Sequence, residues 1–287
     1  MLAAVGNGDA KDLDELMRQD PGFKVNMNLE EGGATLLHFA CLESNSSAVI
    51  PLLLAHPDID VNVKTKFGAT PFYFACVTGS TSCVREMLKD SRVKVNERNN
   101  SGHAPLWSAA SNGYLDIIKW WIASGREMDL GIPGDVEYAD VIAGAKEEGR
   151  TEVVTLLERF KENLEETRYQ VRVELGLLDA LAAEVFAMVV FVSDGLLQIK
   201  DTTITTPAAR YFSVARRLPL ELQMMLCFRQ VGSVKEIIPG QVSEVAFKEL
   251  AKRLILSSIF NKSNFKFPQL ASTVSTEEGW FFSSFCW

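Results

Sequence analysis

Apolar and polar positions recur along the first half of the chain with a spacing of 34 or 35 residues. The clearest copies begin at three glycines and have the sequences GATLLHFA at 33–40, GATPFYFA at 68–75 and GHAPLWSA at 102–109. A second apolar run follows in each copy, at residues 49–54, 84–88 and 117–122. A unit of this length cannot bury its own apolar face, so the pattern predicts stacked units of two helices each.

Helix boundaries can be placed within these units. Thr70 is a good N-cap and Pro71 fits the first helical turn, so a helix is predicted to begin there. Gly79 and Gly113 follow the first helices of their units, where a left-handed residue ends a helix at low cost. Ser44 takes the place of that glycine in the earliest clear unit, which predicts a less regular turn. Fainter copies on either side bring the count to about five units.

The string Thr70-Pro71-Phe72-Tyr73-Phe74-Ala75 and its counterparts at 35–40 and 104–109 resemble the hallmark of the ankyrin repeat. The resemblance covers about residues 1–160. It implies an all-α solenoid in which each unit has a β-turn finger and two antiparallel helices. It also implies a protein partner bound on a concave surface, and a His38 that braces the junction between a finger and a helix through hydrogen bonds.

Carrying the family's contact positions over residue by residue gives two sets of partner-binding candidates. On the fingers they are Glu31, Lys66, Phe67, Asn100, Ser101 and His103. Near the ends of the first helices they are Leu42, Glu43, Val77, Thr78, Ser111 and Asn112. Phe67 is the favoured anchor because the repeat's own core does not need an aromatic side chain on a finger, and aromatics are enriched among hot spots. The alternative is that Phe67 packs onto the neighbouring finger.

From about residue 164 the period is lost, whereas helical spacing persists. Apolar residues between Val171 and Val192 predict one or two buried helices, and further helices are predicted after Pro207, after Pro219 and, with Ser243 as N-cap, from residue 245. The acidic last repeat could be a solvated cap, or it could continue as one long helix through Arg159 towards Tyr169. The domains expected are an ankyrin solenoid at 1–163, a helical C-terminal domain at 164–260 and an aromatic-rich tail at 261–287. The tail is a hydrophobic docking segment, a terminus folded back on the helical domain, or a flexible end with no selected role.

Composition and charge narrow the class of function. The chain of 287 residues is 47% hydrophobic and carries a net charge of −8. Residues 1–165 hold 16 basic and 25 acidic side chains, so the acidic excess belongs to the repeats and favours a basic partner surface over nucleic acid. The most apolar run, at 185–192, is too short to span a bilayer. Five cysteines and no apolar leader indicate reduced thiols and a cytoplasmic protein, with a nuclear location left open.

No constellation of catalytic or metal-binding residues is visible in the sequence. The three histidines all lie in the repeats, and His38 shares its repeat position with Tyr73 and Trp107, so that position does not require an imidazole. Cys41 and Cys76 are also one period apart, which predicts small packing residues. No zinc, P-loop or nucleophile motif is present. We therefore expect a non-enzymatic protein without cofactor, metal or catalytic residues.

A second hypothesis comes from the stretch Leu218-Pro219-Leu220-Glu221-Leu222 and the helix predicted about twenty residues later. This pair looks like an F-box, the module that docks substrate receptors onto a ubiquitin-ligase adaptor. The repeats would then select the substrate, and Leu218, Pro219 and Leu222 would contact the adaptor. The match is partial because Gly232, Pro239 and Gly240 interrupt the region between the two parts. The alternative is that Pro219 only begins a core helix.

Overall fold

The protein is described from a computed structural model covering residues 1–20, 22–131, 140–195, 207–233 and 235–260. The predicted tail at 261–287 lies outside the described residues. All regular elements within the described residues are helices. The chain divides into two compact units, of which the first ends at Arg168 and the second begins at Tyr169.

Among the described residues, the first unit contains ten complete α-helices arranged as five consecutive pairs. In chain order they are α1 (Leu2–Asn7), α2 (Ala10–Gln19), α3 (Leu36–Leu42), α4 (Ile50–Leu54), α5 (Pro71–Thr78), α6 (Thr81–Leu88), α7 (Pro105–Ser111), α8 (Leu115–Ser124), α9 (Val141–Glu147) and α10 (Thr151–Glu162). The first helices form one row, in which α1, α3, α5, α7 and α9 each contact the next. The second helices α4, α6, α8 and α10 form another row in the same way. The predicted all-α solenoid of about five units is confirmed.

The helix boundaries follow the predicted capping chemistry. The Thr70 hydroxyl accepts a hydrogen bond of 3.2 Å from the backbone N–H of Tyr73, and Pro71 is the first residue of α5. Gly79 ends α5 with φ of +75°, and a Cβ there would lie 2.8 Å from the ring of Tyr114. Glycine is therefore needed at residue 79 both for its backbone conformation and for the close approach of the next unit.

The unit that has Ser44 in place of glycine is less regular, as predicted. Helix α3 ends at Leu42 and is followed by a 3₁₀ helix, Ser44–Ala48. The second helix of this unit, α4, is only five residues long and has Pro51 in its first turn. Without a residue suited to the left-handed conformation, the chain continues in a tighter helical turn and leaves less length for the second helix.

The repeats bury a continuous apolar core. Leu53, Met87, Leu88, Trp121 and Ile122 are buried as predicted, whereas Leu52 is half-buried. The Trp121 ring contacts that of Phe72 edge-on, with centroids 5.0 Å apart. Cys41, Cys76 and Cys83 are also buried, and burial raises the pKa of each thiol above its ordinary value. Buried neutral thiols are packing residues rather than nucleophiles.

The remaining helices are α11 (Leu164–Glu174), α12 (Leu178–Ser193), α13 (Pro207–Ala215), α14 (Leu220–Gln230) and α15 (Gly240–Phe260). Helix α12 supplies the core of the second unit and contacts α14 and α15. Two sequence-based expectations are wrong. Helix α10 ends at Glu162 and the extended backbone of Asn163 separates it from α11, so the last repeat does not continue as one helix. Ser243 is not an N-cap, because α15 begins at Gly240 and the Ser243 hydroxyl donates to the Gly240 carbonyl.

Within the described residues, no single helix has the length and apolar character needed to cross a membrane. Helices α11 and α12 meet those criteria only when taken together, and the chain bends by 101° between them.

Candidate functional site

Three fingers precede the first helices of the central units. Each is closed by a backbone hydrogen bond across its base, from Leu29 to Ala34 in finger 1, from Thr65 to Ala69 in finger 2 and from Asn99 to His103 in finger 3. Gly33, Gly68 and Gly102 occupy the same position in their fingers, with φ of +81°, +74° and +80°. The fingers are therefore true structural repeats, and their tips point to a common edge of the first unit.

Neighbouring fingers are joined to each other by hydrogen bonds. The Lys66 backbone N–H donates to the Gly32 carbonyl at 2.8 Å, and the Asn100 N–H donates to the Phe67 carbonyl at 2.9 Å. The Asn100 side-chain amide also donates to the Lys66 carbonyl at 2.9 Å. Because these backbone groups are already paired, the edge of the fingers offers a partner mainly side chains.

His38 braces finger 2 against the first helix of the preceding unit. Its Nδ1 accepts a hydrogen bond of 3.1 Å from the backbone N–H of Thr35, and its Nε2 lies 3.2 Å from the Ala69 carbonyl oxygen. An Nδ1 that accepts leaves the ring proton on Nε2, which can then donate to Ala69. Burial lowers the pKa of His38 and keeps the imidazole neutral. The contacts confirm the bracing role implied by the family resemblance.

An apolar depression lies between fingers 1 and 2 and the ends of α3 and α5. It encloses ≈ 190 Å³ and is lined by Glu30, Gly32, Ala34, His38, Phe39, Leu42, Thr65, Phe67 and Phe74. The Phe67 side chain is 73% exposed and that of Leu42 is 41% exposed, although both are large and apolar. Phe67 thus stands on the wall of the depression and is not buried against the neighbouring finger.

The structure brings some of the predicted contact residues together and separates others. Leu42 and Phe67 line the same depression, and Glu31 and Glu43 each adjoin a lining residue in the sequence. The exposed candidates farther along are Asn100 and Ser101 on finger 3, and Val77, Thr78 and Asn112 at the ends of α5 and α7. Ser111 and His103 are half-buried.

Some candidate side chains already have partners within the repeats. The His103 ring stacks on that of Trp107 with centroids 4.5 Å apart. The Asn112 amide donates to the Ser108 carbonyl at 2.8 Å, and the Thr78 hydroxyl donates to the Phe74 carbonyl at 3.0 Å. These side chains therefore support the local helix ends and fingers as well as facing solvent.

The repeat pattern did not identify Glu30, Phe39 and Phe74 as contact residues, although all three line the depression. Phe39 and Phe74 occupy the same position in successive repeats, one residue after His38 and Tyr73, where the third repeat has Ser108. An aromatic residue at this position in two neighbouring units, followed by serine in the third, was the available signal for a local apolar site.

The carboxylates around the depression differ from those of the following units. Glu30, Glu31 and Glu43 are exposed and take part in no ion pair with the described residues. Farther along, ion pairs neutralise Glu86, Asp90, Glu97 and Asp129 with the respective partners Lys89, Arg92, Lys64 and Arg98, at N–O distances of 2.6–2.9 Å. Lys66 contributes one exposed positive charge beside Phe67. The surface at the depression is therefore net negative.

The residues of the F-box hypothesis lie at the start of α14. Pro219 and Leu222 are exposed, and Leu218 is half-buried with its carbonyl accepting a 2.9 Å hydrogen bond from the Gln223 side chain. Pro219 precedes the first residue of α14, as the sequence predicted. Binding of a ligase adaptor stays a prediction. No cluster of three or more metal-ligating side chains occurs in the part of the chain that the structure describes.

Helix pairs stacked in two rows, with equivalent fingers of which finger 2 is braced by the buried His38, have the architecture of ankyrin repeats. Residues 37–131 match the family model for ankyrin repeats, in three copies.

Among curated proteins, the chain is similar to SMC5-SMC6 complex localization factor protein 1. The cattle protein (Bos taurus) is 33% identical over 150 residues, which cover 50% of this chain and 14% of that protein. The human protein is 40% identical over 93 residues, 32% of this chain and 9% of its own length. Human Rabankyrin-5 is 29% identical over 102 residues, which make up 35% of this chain and 9% of that protein. The matches thus span a small part of each relative.

Proposed function

We propose that this chain is a non-enzymatic protein-interaction module that holds a partner protein on the concave face formed by its fingers and the ends of its first helices. The observation that carries the proposal is the apolar depression with Phe67 on its wall. Phe67 is 73% exposed and lines the same depression as the exposed Leu42, and contiguous exposed apolar surface of this kind often marks a protein interaction site. Aromatic side chains in such positions often dominate binding energy.

The comparisons suggest what such binding is for. The cattle and human relatives are named as localization factors of the SMC5–SMC6 complex. By analogy, the repeats of this chain bring the molecule to its place of action by binding a protein there, in the nucleus or the cytoplasm. The rest of the chain then acts at that location.

Replacing Phe67 by alanine tests the proposal. The full-length protein and the Phe67→Ala variant are each used to capture proteins from a cell lysate, and bound proteins are quantified by mass spectrometry. We expect at least one specifically bound protein to fall about tenfold or more with Phe67→Ala, as for an aromatic hot spot. Thermal unfolding is expected to stay close to wild type, because the replaced side chain is exposed.

Ile237→Ala is the matched control. Ile237 is 72% exposed, as Phe67 is, but it lies in the second unit outside the repeats. Its replacement removes a similar amount of exposed apolar surface and is expected to leave capture unchanged. A bound set that is identical for wild type and Phe67→Ala contradicts the proposed binding face.

A further inference from the structure

Resting on the proposed function, we infer that the apolar depression accepts one apolar side chain from a partner segment that carries lysine or arginine on both sides of that side chain. Three properties of this surface support the inference: its size, its apolar lining and its unpaired carboxylates.

The size and lining of the depression fit a single apolar side chain. A volume of ≈ 190 Å³ is smaller than the roughly 300–1,000 Å³ of small-molecule and cofactor sites. Phe39, Leu42, Phe67 and Phe74 supply apolar walls, and no other described side chain fills the space. Filling it with a leucine-, methionine- or phenylalanine-sized side chain removes exposed apolar surface on both partners.

Hydrogen bonds between the fingers use backbone donors that an incoming strand would need. The Lys66 and Asn100 backbone N–H groups are bonded to the carbonyls of the preceding finger, so these two donors are already paired. Recognition by side chains is therefore favoured over strand addition.

The carboxylates around the depression favour a partner segment that has basic residues on both sides of its apolar side chain. Glu30 lines it, and the exposed residues Glu31 and Glu43 are next in the sequence to the lining residues Gly32 and Leu42, so three exposed acidic residues lie in or next to the lining segments. They form no ion pair with the described residues, whereas Asp90, Glu97 and Asp129 of the following units are paired with Arg92, Lys64 and Arg98. Lys66 offsets only one of the three charges. Opposite charges on a partner attract such a rim and steer its approach.

The test uses a randomised peptide library displayed on phage and selected on the immobilised full-length protein. We expect enriched sequences to share an apolar residue flanked by lysine or arginine. A synthetic fluorescent peptide of the enriched sequence is then titrated with protein and followed by anisotropy. Raising the salt concentration is expected to weaken its binding, because exposed charges are screened.

Three variants separate the apolar from the electrostatic contribution to peptide binding. Phe67→Ala is expected to weaken peptide binding about tenfold or more. The triple variant Glu30→Gln, Glu31→Gln, Glu43→Gln is expected to weaken it about fivefold to tenfold. Lys66→Gln, which removes the opposing charge, is expected to strengthen it about twofold. The Lys66 side chain makes no contact that the repeats need, so a purely structural role would not produce that gain.

The matched control variant changes the net charge by the same amount at a different place in the repeats. Glu147→Gln, Glu148→Gln, Glu152→Gln neutralises three exposed carboxylates of the last repeat and is expected to leave binding within about twofold. Equal weakening by both triple variants means nonspecific attraction to an acidic protein and overturns the inference.

The outcomes also distinguish this inference from the proposed function. Peptides that depend on Phe67 but lack basic residues, or that bind the Glu30/Glu31/Glu43 variant normally, overturn the inference and leave the binding face intact. A selection that yields no Phe67-dependent peptide overturns the inference too. The capture experiment with Phe67→Ala then decides the proposed function separately.

Discussion

His38, Tyr73 and Trp107 occupy one position in three consecutive repeats and make three different sets of contacts. His38 bonds to Thr35 and Ala69. The Tyr73 hydroxyl accepts a 3.0 Å hydrogen bond from the Asn99 amide and lies 3.3 Å from the Ser108 hydroxyl. Trp107 stacks on the ring of His103. Each of these side chains extends from a first helix to the finger of its own or the next unit. The position therefore requires a side chain long enough to contact a finger, rather than one residue type.

Replacing His38 by alanine should destabilise the repeats. The backbone N–H of Thr35 and the carbonyl of Ala69 would each lose a partner in a buried setting, so we expect a loss of about 2–4 kcal/mol in the free energy of unfolding. Urea denaturation followed by circular dichroism measures it. Tyr73→Phe, which removes only a hydroxyl, is the control and is expected to cost about 1 kcal/mol.

The same histidine should make stability depend on pH. Burial lowers the pKa of His38 in the folded state below its ordinary value of 6.5. The unfolded chain therefore binds the proton more readily, and stability is expected to fall as pH drops through about 6.5 towards the folded-state pKa. Wild type should be less stable at about pH 5.5 than at about pH 7.5, and the difference should shrink in His38→Ala. An unchanged difference would assign the effect to other groups.

For single residues, the sequence predicted which side chains are buried better than it predicted which are exposed. The period identified Leu53, Met87 and Trp121 as core because every unit needs an apolar residue at those positions. It did not identify Phe39 and Phe74 as walls of a depression. Their exposure depends on how far finger 2 and the end of α3 stand apart, which is set by tertiary packing rather than by a repeat pattern.

The fingers are the elements that hold the candidate site in place. Gly68 and Gly102 have the same left-handed backbone, yet their surroundings differ. A Cβ on Gly68 would clash with the Asn100 side chain and lie 2.7 Å from the Asn100 backbone nitrogen, whereas a Cβ on Gly102 would meet no atom of the described residues within 4 Å. Finger 2 is thus closely covered by finger 3, and Gly102 has no such close neighbour among the residues that the structure describes.

Alanine at these two glycines should therefore have unequal effects. Gly102→Ala is expected to cost about 1–2 kcal/mol, from the left-handed backbone alone. Gly68→Ala should cost at least about 1 kcal/mol more, because finger 3 must move and the bond from Asn100 to Lys66 is strained. Denaturant unfolding of the two variants measures the difference. Equal losses would mean that the contact between fingers contributes little to stability.

Helix ends were predicted well where a single residue type decides them and poorly where several compete. Gly79 required a left-handed turn, and Ser44 could not supply one, so both outcomes followed from the backbone. Ser243 was assigned as an N-cap on propensity. The chain instead begins α15 three residues earlier, after Pro239, whose carbonyl accepts from Val242 and Ser243. A proline that can open a helix outweighed a serine that can cap one.

For the whole molecule, the F-box hypothesis concerns the second unit and is tested separately from binding by the repeats. If α14 belongs to an F-box, the ligase adaptor should co-purify with the full-length protein. Replacing the exposed Leu222 by alanine should then reduce the recovered adaptor about tenfold, because an apolar contact is lost. Immunoblotting of the purified material measures this. Leu222→Ala is expected to leave the fold intact, and an adaptor absent from the wild-type sample removes the F-box hypothesis.

Charge is also distributed over the whole molecule rather than set by one motif. Residues 1–165 carry a net charge of −9, and residues 166–287 carry +1. The sequence therefore indicated a preference for basic partners. It could not show which carboxylates are ion-paired, as Glu97 and Asp129 are, and which stay unpaired beside the depression, because ion pairing depends on which side chains the fold brings together.

Asparagine side chains link successive repeats in the loops between the second helices and the fingers. Asn26 donates to the carbonyl of Asp58 and accepts from the N–H of Asp60, and Asn62 does the same with Arg92 and Lys94. The two asparagines are 36 residues apart, whereas the glycines of the fingers recur every 34 or 35 residues. A unit can therefore gain or lose a residue in evolution and keep the side-chain bonds that join it to its neighbour.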